Sequence, residues 1–219
     1  MIEKLLSAGS KGRLVAFLVL VVLTAAAGLQ IPNLQVDRSD EKLISQADEG
    51  WDALRQMQSD FGKEQTVLIY VRSKDLWTRE RLLELQKATF DLEDMPSITS
   101  VSSLFTATNI RDKGEYVAAG PLMDLVPRTA ESIAEIRDDA FYSPLMRRSV
   151  ISADGLSTVI SLGYEGNADD PELPLRIYRE IEAQIAPLRA NFDAVYQVGT
   201  PRLNNEIDQG MFRDLRVLV

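Results

Sequence analysis

Residues 14–29 read LVAFLVLVVLTAAAGL, an apolar run without a charge, and the chain beyond them is amphipathic. As a helix the run rises about 24 Å against a hydrocarbon core of roughly 30 Å, and extending it from Gly12 to Ile31 narrows the gap. It shows no polar face before Thr24, which speaks against a buried helix of a cytoplasmic protein. Lys4, Lys11 and Arg13 stand just before it. Two readings fit this layout. One is a retained first transmembrane helix with its N-terminus held inside by the basic residues. The other is a signal peptide with a basic n-region, an apolar h-region and Ala25-Ala26-Ala27 as the cleavage site.

Beyond the run, Leu34-Gln35-Val36-Asp37 alternates and predicts a short strand. Ser39 offers a helix N-cap with Asp40 and Glu41 in the first turn. Leu43, Ala47, Trp51, Leu54, Met57 and Phe61 then recur at helical spacing, and Gly62 closes the helix. The β-branched run Val67–Val71 predicts a buried strand. Thr78 caps a second helix through Glu93, with Leu82, Leu85, Thr89 and Leu92 on one face, and Pro96 stops it. Ile98–Leu104 alternates as a strand. Residues 105–127 look irregular, punctuated by Gly114, Gly120, Pro121 and Pro127, with a short strand at Tyr116–Ala118. A weaker helix covers Thr129–Ala140.

From Arg147 the pattern turns to β. The stretch SVISADGLSTVISLGYE predicts two strands joined as a hairpin at Asp154-Gly155. A helix follows from about Pro171, with the stripe Leu173, Ile177, Ile181, Ile185 and Leu188 and with Pro187 at its end. Val195–Val198 is the last strand. Residues 67–104 and 157–198 are thus two strand–helix–strand units, which predicts an α+β, ferredoxin-like arrangement. Thr200 and Pro201 suit the cap and first turn of a closing helix. Its stripe Leu203, Ile207, Met211, Leu215 and Leu218 becomes more apolar toward Val219, with no stop signal, so a further membrane span is the expected continuation.

Composition narrows the chemistry. The 219 residues include no Cys and no His, which removes thiolates, disulfides, the usual zinc ligand and the usual general base. The net charge of −9 repels nucleic acid and anionic headgroups, and residues beyond Arg13 are more acidic still. No G-x-S-x-G, P-loop, G-x-G-x-x-G or HExxH motif is present, so neither an enzyme nor a cofactor is expected.

Individual residues carry modest signals. Asp169, Asp170 and Glu172 offer oxygen ligands for calcium but lack the spaced loop of an EF-hand, and a solvated face at a helix start is the simpler reading. Asp91, Glu93 and Asp94 at a helix C-terminus oppose the dipole and call for solvation or a basic partner. Arg147 and Arg148 read as surface ion-pairing residues. Trp51, Trp77, Tyr70 and Phe61 read as core. The long segment from Leu104 to Pro127 is where a substrate cleft is expected, with Phe105, Tyr116, Leu122 and Met123 as its apolar contacts, against the competing reading of core packing.

Taken together, the run 14–29, Asp37, the segment VISADGLSTVISLGY at 150–164 and the segment VGTPRLNNEIDQGMFRDLRVLV at 198–219 resemble the first part of a resistance-nodulation-division (RND) superfamily transporter, in its MMPL-type and hopanoid-associated branch. The resemblance implies residues 1–33 as cytoplasmic N-terminus and first membrane helix, 34–200 as an extracytoplasmic porter domain, and 201–219 as a helix leading to a second span. It implies Gly199 and Pro201 at the junction and Asp214 near the membrane surface. It also implies a bacterial inner-membrane location, the remainder of the same transporter and membrane lipid as partners, homo-oligomers among its assemblies, and lipid-like or amphiphilic substrates moved by the proton gradient. Segment 14–29 has no ionisable residue of the kind that couples protons, so that role falls outside this stretch. The rival expectation is a signal-peptide-bearing or membrane-anchored periplasmic module that binds a partner.

Overall fold

The computed structural model describes residues 10–30, 49–112, 117–167, 170 and 172–218. The predicted strand at 34–37, the Ser39 cap, Tyr116, Asp169 and Pro171 lie outside the described residues, as do the side chains of Trp51, Leu54, Phe61, Met211, Asp214 and Leu215. The chain divides into two compact units, 1–38 and 39–219.

In the first unit, helix α1 spans Ser10–Gln30. Within it Gly12–Leu29 is long and apolar enough to cross a membrane, and none of that stretch is buried. It is one candidate membrane-spanning helix near the N-terminus.

The second unit is mixed helix and sheet. Helix α2 (Glu49–Phe61) leads through Gly62, at a φ of 82°, into strand β1 (Glu64–Arg72). The left-handed conformation at Gly62 is the helix stop that its sequence position predicts. Helix α3 (Arg79–Glu93) follows, capped by the Thr78 hydroxyl accepting from the Arg81 N–H, and it buries Leu82, Leu85, Thr89 and Leu92 as the periodicity requires. Strand β2 is only Ser100–Ser102, shorter than the alternation of 98–104 predicts. Ser103–Thr106 curls into a turn instead. The Thr106 hydroxyl there accepts from the Ser103 N–H and donates to the Val101 carbonyl, and the Ser103 hydroxyl accepts from the Phe105 N–H.

The region expected to be irregular contains a hairpin of β3 (Thr108–Asp112) and β4 (Val117–Pro121), and then helix α4 (Ala130–Tyr142) capped by Thr129. Strand β5 (Ser157–Glu165), helix α5 (Leu173–Ile185), a 3-10 turn at Ala186–Ala190, strand β6 (Ala194–Val198) and helix α6 (Thr200–Leu218) complete the chain.

The predicted hairpin at Asp154-Gly155 forms its turn but not its first strand. Gly155 adopts a φ of 69° as the turn demands, yet only an isolated bridge from Ile151 to Thr158 joins the arm to β5. The reason lies in the neighbour: β5 spends one edge on β1 along its whole length and the other on β2 at Ser161–Gly163.

The main sheet has the order β2-β5-β1-β6, every neighbouring pair antiparallel. Each strand–helix–strand unit is therefore split. The parallel pair β1 and β2 is separated by β5, and the parallel pair β5 and β6 is separated by β1. Helices cover one face. Val67, Ile69 and Val71 of β1, Ile160, Leu162 and Tyr164 of β5, and Val195 of β6 meet Leu82, Leu85 and Leu92 of α3 and Ile177, Ile181 and Ile185 of α5 in one core.

Two substitutions test this packing. Ile181 is fully buried on α5, so Ile181→Asp places an unpaired carboxylate in the core and should cost several kcal/mol. Leu203 on α6 is 58% exposed, so Leu203→Asp should shift stability by no more than about 0.5 kcal/mol. Urea unfolding followed by circular dichroism measures both, and equal losses would mean that the helix faces are misassigned.

Candidate functional site: an open sheet face and a cleft at its end

The residues expected to line a cleft are brought together, but inside the protein. Phe105, Leu122 and Met123 are all buried in the core cluster, and Tyr116 is outside the described residues. The correction has a simple cause. The segment after β4 returns to α3, where Gln86 Nε2 donates to the Asp124 carbonyl, and Phe105, Leu122 and Met123 join the core cluster with Ile133 and Met146. At the junction, Gly199 adopts a φ of 143° and lies close under the Thr66 carbonyl, Pro201 is buried, and Asp214 falls within α6.

The face of the sheet away from the helices is the first surface of interest. Its outward residues are more apolar than an exposed antiparallel face usually carries. Leu68 pairs across to Val198, and Tyr70 pairs to Val159 on one side and to Tyr196 on the other. The rings of Tyr70 and Tyr196 stack with centroids 6.5 Å apart. Tyr196 and Val198 remain about half exposed. Tyr70, expected in the core, therefore belongs to this face, with its hydroxyl 2.8 Å from Ser157 Oγ.

The second feature is a cleft of about 670 Å³ at the end of the sheet where β1 finishes and β5 begins. The corner between β1 and α3 (Lys74, Asp75, Trp77, Thr78), the last turn of α4 and the turn 154–156 enclose it. Gly155 is the keystone. Its carbonyl accepts from Trp77 Nε1 at 3.0 Å, and the Phe141 ring lies so close that an added Cβ would come within 2.3 Å of it. Trp77 is half-buried against the core, whereas Tyr142 at the mouth is 88% exposed.

The charges around the cleft are mostly paired. Asp154 accepts from the Ser152 hydroxyl, from the Leu156 N–H at 3.1 Å and from Arg72 at 3.2 Å. These contacts, the Ser152 hydrogen bond foremost, hold its carboxyl at about 2. Asp75 is held below its usual value chiefly by the Ser73 hydroxyl, with Arg81 at 3.3 Å adding to the effect.

The other charged positions have local explanations. Asp170 pairs with Arg176 at 2.7 Å and accepts the Glu172 N–H, so its carboxylate is already committed. Asp91 has Lys87 as its basic partner one helical turn away. Arg147 and Arg148 are exposed and show no ion pair among the described residues, and Arg148 takes a φ of 67° to turn the chain. Among the described residues no group of three or more acidic side chains is placed to hold a metal ion. The arrangement can bind and pack. No family model matches the chain, and no curated protein matches it either.

Two measurements probe the cleft. Gly155→Ala should destabilise by about 2 kcal/mol, from the left-handed backbone and the collision with Phe141, whereas Gly120→Ala, with open space around it, should stay within about 0.5 kcal/mol. Equal effects in urea unfolding would refute the close approach. For Asp154 the folded pKa lies below the unfolded one, so its stabilisation is present above about pH 4 and is lost as pH falls toward 2. Asp154→Asn should be less stable at neutral pH and show a shallower loss of urea midpoint over that window. Parallel profiles would show that the carboxylate's contacts do not form.

Proposed function

We propose that the chain is the first membrane helix and extracytoplasmic porter domain of an RND-type exporter of the MMPL and hopanoid-associated branch. One observation carries the reading. β1 begins and β6 ends at the same end of the sheet, with Leu68 beside Val198 and Gly199 against Thr66. The chain enters β1 from α2 and leaves β6 directly into α6, so both connections of the sheet lie at one end, and the apolar α1 stands earlier in the sequence. The split order β2-β5-β1-β6 supports taking this sheet as a ferredoxin-like unit with an insertion between β2 and β5.

Helix α6 adds to this. It packs along α5, while its apolar positions Leu203 and Ile207 stay 58% and 44% exposed. A helix that docks through Pro201 and its polar neighbours and leaves apolar positions outward suits a segment that continues against other membrane-associated structure. Lys4, Lys11 and Arg13 ahead of the apolar run support an inside N-terminus and an outside sheet domain.

In this reading the domain captures and gates lipid-like or amphiphilic substrates by moving as a body. It performs no covalent chemistry and takes no cofactor. The remainder of the transporter supplies proton coupling. The net charge of −9 disfavours nucleic acid as a partner. The competing reading, a membrane-anchored or signal-peptide-bearing binding module, is favoured only by the open cleft.

A reporter that works only in the cytoplasm, fused after Gly199, should be silent, and the protein should stay with membranes after a high-salt wash. A cytoplasmically active fusion defeats the topology. Release of the protein with a new N-terminus near Gly28 establishes the signal peptide. Reading the coding sequence beyond Val219 separates the two functions, because the transporter requires an apolar stretch of about 20 residues starting nearby.

A further inference from the structure

We propose that Arg189 and Arg202 close the outer edge of β6 against strand addition by a second copy of this chain. The edge belongs to the sheet itself, so the proposal does not rest on the transporter reading.

The alternation of the sheet shows what this edge presents. In an antiparallel ladder, successive residues point their N–H and C=O groups to opposite sides. The Val159 N–H donates to the Val150 carbonyl and the Gly163 carbonyl accepts from the Thr99 N–H, both away from β1. Thr158, Ile160 and Leu162 are therefore the residues of β5 that bond to β1. Their partners Val71, Ile69 and Val67 face β5, which leaves Leu68, Tyr70 and Arg72 to face β6. On β6 the backbone groups of Val195 and Gln197 then point outward. The strand reads AVYQV, with no charge, Gly or Pro, and Tyr196 and Val198 are about half exposed. Such a strand at a sheet edge is a ready template for a further strand. The opposite edge is protected by its brevity, since β2 is only Ser100–Ser102.

Both outward carbonyls of β6 are occupied. Arg189 Nε donates to the Val195 carbonyl at 3.3 Å, and Arg202 Nη1 donates to the Gln197 carbonyl at 3.0 Å. The two arginines come from the segments that flank the strand, the 3-10 turn before it and the first turn of α6 after it. Each is held by a glutamate, Arg189 by Glu182 at 2.7 Å and Arg202 by Glu206 at 2.8 Å. These pairs are partly exposed, and such pairs contribute little to stability by themselves. Their effect here is positional. They hold two guanidiniums along the strand, and an incoming strand has to displace both to reach its acceptors.

The chain has no Cys, so one introduced thiol reports one site. Full overlap of two antiparallel β6 strands about a two-fold axis sets residue 196 opposite its own copy. That is a non-hydrogen-bonded pair with Cα atoms about 4.5 Å apart, within reach of a disulfide. The full chain carrying Tyr196→Cys is oxidised with copper–phenanthroline in proteoliposomes. Leu83→Cys, exposed on α3, scores chance collisions. With both arginines present, the dimer formed at 196 should not exceed that at 83. Arg189→Ala combined with Arg202→Ala should raise the dimer at 196 several-fold and leave that at 83 unchanged. Lysine at both positions should hold it near the parent level. Glu182→Gln with Glu206→Gln keeps the arginines but frees them, and should raise the dimer by less. Thermal midpoints establish which variants fold. The proposal is overturned by a parent chain whose dimer at 196 is several-fold above that at 83, or by a folded double-alanine variant whose yield is unchanged. If the double-alanine variant does not fold, the double-glutamine variant decides in its place, and no rise there overturns the proposal.

Discussion

Strand β1 is hydrogen-bonded along both edges, to β5 from Glu64 to Arg72 and to β6 from Leu68 to Arg72, and this double pairing constrains the rest of the chain. A strand in the middle of a four-stranded sheet cannot neighbour the strand that comes next in the chain if another strand takes the place between them. Here β5 takes that place, so β2 lies one position further out, and the same exclusion carries β6 across β1. Both crossing helices must then lie on one face. Val67, Ile69 and Val71 supply the apolar surface that α3 and α5 cover, and burial of that surface is the main driving force of the domain.

Covering one face leaves the other open, and the outward residues there are shaped by contacts between strands. Gly163 on β5 has no side chain, and this allows the Glu64 carboxylate to reach across and accept from Ser100 Oγ at 2.8 Å and Thr99 Oγ1 at 3.1 Å. That bridge ties the short strand β2 to the centre of the sheet. Its backbone pairing, Ser100–Ser102 against Ser161–Gly163, is brief. Further along, Tyr70 and Tyr196 stack across the β1–β6 pair, an aromatic cross-strand contact of the kind that stabilises sheets. These residues give the open face its apolar character without burying it.

The two ends of the sheet have different work. At one end β1 receives the chain from α2 and β6 hands it to α6, so any force carried by flanking helices enters there. At the other end, Ser73, Trp77, Asp154 and Phe141 are cross-braced through the turn at Gly155. Ser73 N–H donates to the Leu156 carbonyl at 2.9 Å and Trp77 donates to the Gly155 carbonyl. The inserted helix α4 is thereby anchored to the corner at the end of β1. Beyond these braces the cleft stays open among the described residues, with Tyr142 at its mouth 88% exposed.

Local chemistry in the sequence determined the pieces. A charge-free run at 14–29 can only be an apolar helix, Thr78 and Thr129 can each cap the helix after them, and the isoleucines at 177, 181 and 185 must share a helical face. Such features depend on residues within one or two turns of each other, so periodicity reveals them. Tertiary structure alone decided the rest, because it depends on which distant strand occupies an edge. Ile98 and Leu104 alternate like strand residues, but pairing with β5 extends only over Ser100–Ser102. Ile151 alternates equally well and obtains a single bridge to β5. Thr108–Asp112 is largely polar and became a strand because 117–121 returns beside it. Phe105, Leu122 and Met123 look the same in sequence whether they line a cleft or fill a core, and the folding back of the insertion made them core. The cleft was invisible for the same reason: Trp77, Phe141 and Gly155 are remote in the chain, and only the closing of the sheet sets them against one another.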